Sequence, residues 1–145
     1  MIESTHTLLI LALAVILGLA IGFEREYISK KSAGTRTYAL IVLGSALFAL
    51  LSRYGFADLF GVVRGLDPSR VAAGIVSGIG FLGAGVILTH QDKIIGLTTA
   101  ASIWTSAAIG MAVGLGYIEL AVFSTALMIF VLLVIGVLEK TFGKE

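Results

Sequence analysis

The chain has 145 residues, 58% hydrophobic and 13% charged, with a mean hydropathy of +1.06. A water-soluble domain of that size needs more polar surface than this composition supplies, so the class is integral membrane. A net charge of +1 argues against nucleic-acid binding, and the lack of cysteine excludes thiol chemistry and cysteine-based metal sites.

Five uncharged runs follow in chain order, over 4–23, 37–52, 71–91, 94–118 and 120–138. A spanning helix takes about 20 apolar residues. The second run is short, but Arg36 and Arg53 bound it and can snorkel to the headgroups. The expected fold is all-α: one domain over 1–145, a polytopic bundle of five transmembrane helices. Their expected bounds are about 6–24, 36–53, 68–89, 95–117 and 118–139. Backbone groups in lipid need internal partners, which helices provide and an open sheet does not. The first run carries a small-x-small pattern at Ala20-Ile21-Gly22, but Glu3 and no basic residue precede it. It therefore reads as a retained helix rather than a cleaved signal.

Five spans put the termini on opposite sides. Arg53, Arg64 and Arg70 fall on the side of the N-terminus. Arg25, Lys30, Lys31, Arg36, Lys93, Lys140 and Lys144 fall on the other. The excess of basic residues predicts an external N-terminus and a cytoplasmic C-terminus. In the loop after the second span, Phe56, Leu59, Phe60 and Val63 fall at helical spacing, which predicts an interfacial helix over 55–64. Asp67-Pro68 then reads as an N-cap followed by a first helical residue.

Three spans carry glycines four apart: Gly18 and Gly22, Gly74 and Gly78, Gly110 and Gly114. Helix association in lipid relies on close backbone approach over small residues, so the first, third and fourth spans are expected to form the packed centre. The bulky fifth span is expected at the rim. The third span also holds Gly80, Gly83 and Gly85 beside Phe81. Either it is approached from every side, or it is interrupted near 80–85 as transporter helices are at their sites. Small residues are ordinary in membrane packing, which favours the first reading. On the fourth span, Thr98, Ser102, Thr105 and Ile109 form one stripe, with Thr99, Ser106 and Gly110 beside it. Trp104 lies within that span, where its indole N–H is expected to find a partner.

No Asp, Glu, Lys or Arg lies deep in a span. Ion-coupled carriers usually keep such a residue near mid-membrane. The charged groups of interest sit at the end of the first span, in GFEREY, and at the start of the second, in AGTRTYAL. A turn of 100° per residue aims Arg25 toward the Gly18 face and Glu24 away from it. Glu24 or Glu26 is expected to pair with Arg36.

The stretches GLAIGFEREYISKKSAGTRTYALIVLGSALF, GIVSGIGFLGAGVIL and GLTTAASIWTSAAIGMAVGLGYIELA resemble the MgtC/SapB family of bacterial membrane proteins. Together they cover most of residues 17–121, in the family's order. The motif positions carried over are Gly22, Glu24, Arg25, Gly34, Arg36 and Thr37. With them go Gly78, Gly80, Phe81, Gly83, Ala84 and Gly85, then Gly96, Thr98, Thr99, Ala100, Ser102 and Trp104. The resemblance implies a multi-pass protein of the bacterial inner membrane linked to adaptation to low magnesium and, in some pathogens, to virulence. For the best-known members it implies restraint of the proton-translocating ATP synthase. Many members continue into a soluble domain after the last helix, whereas this sequence ends at LEKTFGKE. It reads as the transmembrane domain alone, a short branch or a shortened chain.

The expected function is regulation of other membrane complexes, with no chemistry of its own. The alternative is a transporter or channel for magnesium or another small solute, lined by the third and fourth spans. No enzyme and no cofactor are expected. Glu24 and Asp92 are the metal candidates if magnesium associates. The expected partners are the lipid bilayer, another membrane protein and a second copy of the chain, as a homodimer.

Overall fold

The computed structural model describes residues 4–55, 67, 69–90 and 93–142. The interfacial helix expected over 55–64 (Gly55 apart), Pro68 and Asp92 lie outside the described residues. Helix α1 runs Ser4–Phe23 and widens into a π-helical turn at Glu24–Ile28. Helix α2 spans Thr35–Tyr54 and α3 spans Ser69–Gly85. Two short strands follow, β1 at Leu88–His90 and β2 at Lys93–Ile95. Helix α4 spans Leu97–Leu115. Helix α5, Ile118–Phe130, continues through a second π-helical turn at Val131–Ile135 into α6, Gly136–Thr141.

Four segments are long and apolar enough to cross a membrane: Thr5–Ile28, Thr35–Tyr54, Leu97–Leu115 and Ile118–Leu138. The fifth, α3, has 17 residues. At 1.5 Å per residue it reaches about 25 Å, short of a hydrocarbon core of about 30 Å. It begins as the sequence suggests: the Asp67 carboxylate accepts the Ser69 amide at 2.9 Å and its hydroxyl at 2.6 Å. Those two donors hold the Asp67 carboxyl below its usual range.

The third span departs from expectation at its other end. A helix was predicted to residue 89, unbroken or interrupted near 80–85. Instead α3 is continuous to Gly85 and stops. Val86 N–H bonds to Gly83 O at 3.2 Å and Ile87 N–H to Ala84 O at 3.1 Å, tightening the last turn. The chain then folds into an antiparallel hairpin pairing Leu88 with Ile95, Thr89 with Ile94 and His90 with Lys93. The pairing satisfies backbone groups that helix no longer satisfies.

The centre of the bundle is α2, packed by α1 on one side and α4 on another. Tyr38, Val42 and Ala46 are fully buried along it. The close approaches belong to two of the three glycine pairs. A Cβ on Gly18 would lie 2.6 Å from Ala39 Cα, and one on Gly110 would lie 2.9 Å from Ser45 Cβ. On Gly114 it would lie 2.8 Å from Ala49 Cβ. The third pair is different. Gly74 and Gly78 on α3 have nothing within 4 Å of where a Cβ would stand. The expectation that the third span is central is therefore corrected: α3 rests on α4 and α2 at the edge, with only Ile79 and Gly83 buried. A glycine pair permits close packing but does not say which neighbour arrives.

Helix α4 ends at Gly116, φ +89°, where Tyr117 N–H reaches Ala112 O at 2.9 Å and Gly116 N–H reaches Val113 O at 3.0 Å. The Arg53 guanidinium from the end of α2 donates to Leu115 O, neutralising the carbonyl end of α4. These contacts tie the two central helices at one end.

Gly110→Leu and Gly18→Leu are expected to destabilise the bundle by about 2 kcal/mol or more, because backbone stands where the side chain must go. Gly78→Leu is expected to leave the melting temperature of the detergent-solubilised protein nearly unchanged. Equal losses at all three positions would place α3 back at the centre.

Candidate functional site

The described polar groups gather where α1 ends, α2 begins and α4 begins. Glu24 and Arg25 are each only 2% exposed, although they are consecutive. The prediction that Glu24 turns away from the packed centre is thus corrected. It assumed 100° per residue, and the π-helical turn at Glu24–Ile28 takes more residues per turn, so consecutive side chains lie closer in direction. Both side chains turn inward.

Arg25 Nη2 donates to Thr99 Oγ1 at 2.9 Å, joining α1 to α4. Ser102 Oγ donates to Thr99 O at 2.8 Å. A serine hydroxyl has one proton, so the Tyr38 hydroxyl, also bonded to Ser102 Oγ, is the donor in that contact. A chain of contacts therefore runs from Arg25 through Thr99 and Ser102 to Tyr38, linking α1, α4 and α2. Further along α4, Ser106 is fully buried and donates to Ser102 O at 2.8 Å.

Arg36 acts on Glu26 through its charge, as expected, but among the described residues neither carboxylate takes a hydrogen bond from it. The Ser29 hydroxyl donates to Glu24 Oε1. Glu26 Oε2 accepts from the Thr35 amide at 2.8 Å and its hydroxyl at 2.6 Å, tying the connection to the start of α2. Arg36 is exposed, as is Thr37. Gly22 fits closely against Thr35, the residue that reaches the Glu26 carboxylate. Among the described residues, Glu24 Oε2 and Arg25 Nε are buried without a hydrogen-bond partner. Such groups cost free energy unless something else satisfies them.

The other sequence candidates scatter. Thr99 and Ser102 are buried, whereas Thr98 is exposed and Trp104 is half exposed. The inward face of α4 is thus the neighbouring stripe of Thr99, Ser106 and Gly110, together with Ser102 and Ile109 of the first. The indole N–H of Trp104 is expected to find a partner within the bundle, but Trp104 is half exposed and faces outward. Gly78, Gly80 and Gly85 stand open, Phe81 is 79% exposed, and Gly83 alone of that set meets α4, at Ala100. Among the described residues no three His, Asp or Glu side chains gather as a metal site. The metal candidate Asp92 lies outside them. Sequence reasoning missed Tyr38 and Ser29. Tyr38 carried a signal, since a phenol in the first turn of an apolar span needs a polar partner.

Two cavities adjoin these helices. One, of about 850 Å³, is an apolar groove between α2 and α3, walled by Leu40, Ile41, Phe48, Gly74, Gly78 and Leu82. The other, of about 680 Å³, opens beside Arg25, Lys31 and Thr98 and is backed by the π-helical turn after α5 and the start of α6.

The family model for the MgtC family matches residues 11–141. The chain belongs to the MgtC family. It is 52% identical over 123 residues to YhiD of Escherichia coli, whose name carries a proposed magnesium-transport role; the match covers 84% of this chain and 57% of YhiD. It is 44% identical over 126 residues to protein MgtC of Brucella abortus, covering 87% of this chain and 50% of that one. Protein MgtC of Salmonella typhimurium is 44% identical over 116 residues, covering 80% and 46%. The chain thus spans about half the length of the curated relatives it matches. No solved structure matches it. With its apolar helices and this family, the chain is a multi-pass protein of the bacterial inner membrane.

Thr99→Val strands the buried Arg25 donor and is expected to lower stability by about 1–3 kcal/mol. Adding Arg25→Met to Thr99→Val is expected to cost less than the sum of the single changes, since neither partner is then left alone. Unfolding in detergent measures both. Arg36→Ala, at an exposed position, is expected to stay within about 0.5 kcal/mol of wild type.

Proposed function

We propose that this MgtC-family chain acts as a regulator that docks against helices of other membrane complexes, without catalysis of its own, in cells adapting to scarce magnesium. The observation that carries the reading is the open face of α3. Gly74, Gly78 and Gly80 have no neighbour within 4 Å, and an apolar groove of about 850 Å³ runs beside them. The other two glycine pairs each receive a helix of this chain. A third of the same kind, exposed toward lipid, suits an incoming helix from elsewhere. Thr37 and Ser45 are the polar residues of the groove wall, which suits a helix better than a hydrated cation. The occupant we infer is a spanning helix of another complex, such as the ATP synthase implied by the resemblance. A second copy of the chain would compete for the same face. The magnesium link rests on the family and on the name given to YhiD.

The second reading is a magnesium path along the hydroxyl face of α4, favoured by the buried Thr99, Ser102 and Ser106. Against it stands Arg25, a fixed cation bonded to Thr99 at the mouth of that face. Like charge at close range opposes a divalent cation in a low-dielectric site.

With cysteine introduced at Gly78, cross-linking in native membranes is expected to capture a different membrane protein, while liposomes holding the purified wild type pass no magnesium. Capture of only a second copy would make the face a homodimer interface. Saturable magnesium flux, lost in Ser102→Leu, would replace the regulator with the transporter. We further infer an external N-terminus and a cytoplasmic C-terminus. Reporters after Glu145 and within 57–65 are expected on opposite sides of the membrane, and reporters on one side would overturn that orientation.

A further inference from the structure

The cavity beside Arg25 has three features that converge on one ligand chemistry. The first is the start of α4, a 19-residue helix. Its N-cap is Gly96, which has no side chain to offer its amides. The first α4-side amide with a backbone acceptor is that of Ala100, which bonds to Gly96 O at 2.8 Å. Among the described residues the N–H groups of Leu97, Thr98 and Thr99 have no acceptor. Such a terminus carries a partial positive charge and points its donors at an anion.

The second feature is Arg25. It lines the cavity while being only 2% exposed. A guanidinium carries five N–H donors. Among the described residues this one makes a single side-chain hydrogen bond, to Thr99, and its Nε is buried without a partner. Lys31 adds a second cation to the cavity wall, and its backbone N–H is tied to Arg25 O at 2.8 Å. The neighbouring Glu24 carboxylate is turned to Ser29 and does not line the cavity. Among the described residues the charged groups lining the cavity are Arg25 and Lys31, both cationic, with Glu24 behind the lining residue Ser29.

The third feature is the opposite wall. Leu132, Leu133, Ile135 and Val137, from the π-helical turn after α5 and the start of α6, give the cavity an apolar side next to its cationic one. At about 680 Å³ it is the size of a small-molecule site. A free inorganic anion leaves that wall unused, whereas an anion carrying an acyl chain covers it.

We propose that this cavity binds the phosphate group of an anionic membrane phospholipid. The phosphate oxygens accept from the α4 amides and from Arg25, Lys31 supplies further charge, and the acyl chain lies along the π-helical turn that follows α5. Basic pockets between spanning helices suit such headgroups. The site shares no lining residue with the α2–α3 groove and does not rest on the regulatory reading.

The test uses the full chain purified in detergent, with phosphatidylglycerol, phosphatidylcholine and inorganic phosphate as probes. Binding is followed by native mass spectrometry and by melting temperature. Phosphatidylglycerol is expected to bind at least tenfold more tightly than phosphatidylcholine and to raise the melting temperature by several degrees. Arg25 is buried, so the informative variants are at exposed positions. Thr98→Asp puts a carboxylate where the phosphate would sit. It is expected to melt no lower than wild type without lipid, yet to lose the lipid-dependent rise. Lys31→Gln is expected to weaken phosphatidylglycerol binding severalfold. If inorganic phosphate at millimolar concentration gives the same rise and Thr98→Asp removes it, the anion site stands and its source is the free ion. Equal response to the two lipids, or undiminished phosphatidylglycerol binding in Thr98→Asp and Lys31→Gln, would overturn the proposal.

Discussion

Everything in this bundle is arranged around the contact of α4 with α2. Gly110 and Gly114 bring the α4 backbone against the carbonyls of Val42 and Ala46, with Ser45 and Ala49 beside them. In lipid no hydrophobic drive pushes two apolar helices together, so packing depends on how closely the backbones approach. A methyl group at either glycine would stand where backbone already is. Helix α1 repeats the device on another side of α2, through Gly18 and Gly22 against Tyr38, Ala39 and Thr35. Three helices are thereby locked, and the others attach to that core.

The same closeness explains how Glu24 and Arg25 come to be buried. Gly22 presses α1 onto the start of α2 at Thr35, and the widened turn after it directs both side chains inward. Burial of a charge is costly unless it is hydrogen-bonded. Arg25 meets Thr99, and Glu24 meets Ser29. Ser102 and Tyr38 extend the contacts into the core. Each charged group nevertheless keeps one buried atom unpartnered. Of the two, Arg25 lines the cavity proposed to take up an anion, and Glu24 does not.

Helix α3 sits outside this lock. It is short, buries only Ile79 and Gly83, the latter against Ala100 of α4, and exposes its remaining glycines. The hairpin after it carries exposed Leu88, Ile94 and Ile95. An apolar, glycine-lined face without an internal neighbour is the feature that membrane helices use to recognise each other. The core is committed to holding the chain together, and the edge is left to meet something else.

The sequence by itself determined the membrane class, the five apolar segments, the Asp67 cap and the polar composition of α4. Those are local properties, carried by run length, charge-free composition and residue types a few positions apart. It also marked Glu24, Arg25, Thr99 and Ser102 as residues of interest. It did not show that Arg25 meets Thr99 rather than leaving Arg36 to pair with a carboxylate, because those residues lie on separate segments whose relative placement no spacing encodes. Nor did it separate three glycine pairs that look alike in the chain. Only the tertiary structure decided that two of them face α2 and the third faces outward. The end of α3 was hidden for a related reason. Residues 86–89 are apolar enough to continue a helix, and the hairpin that replaces it rests on pairing 88–90 with 93–95, which local apolarity does not mark.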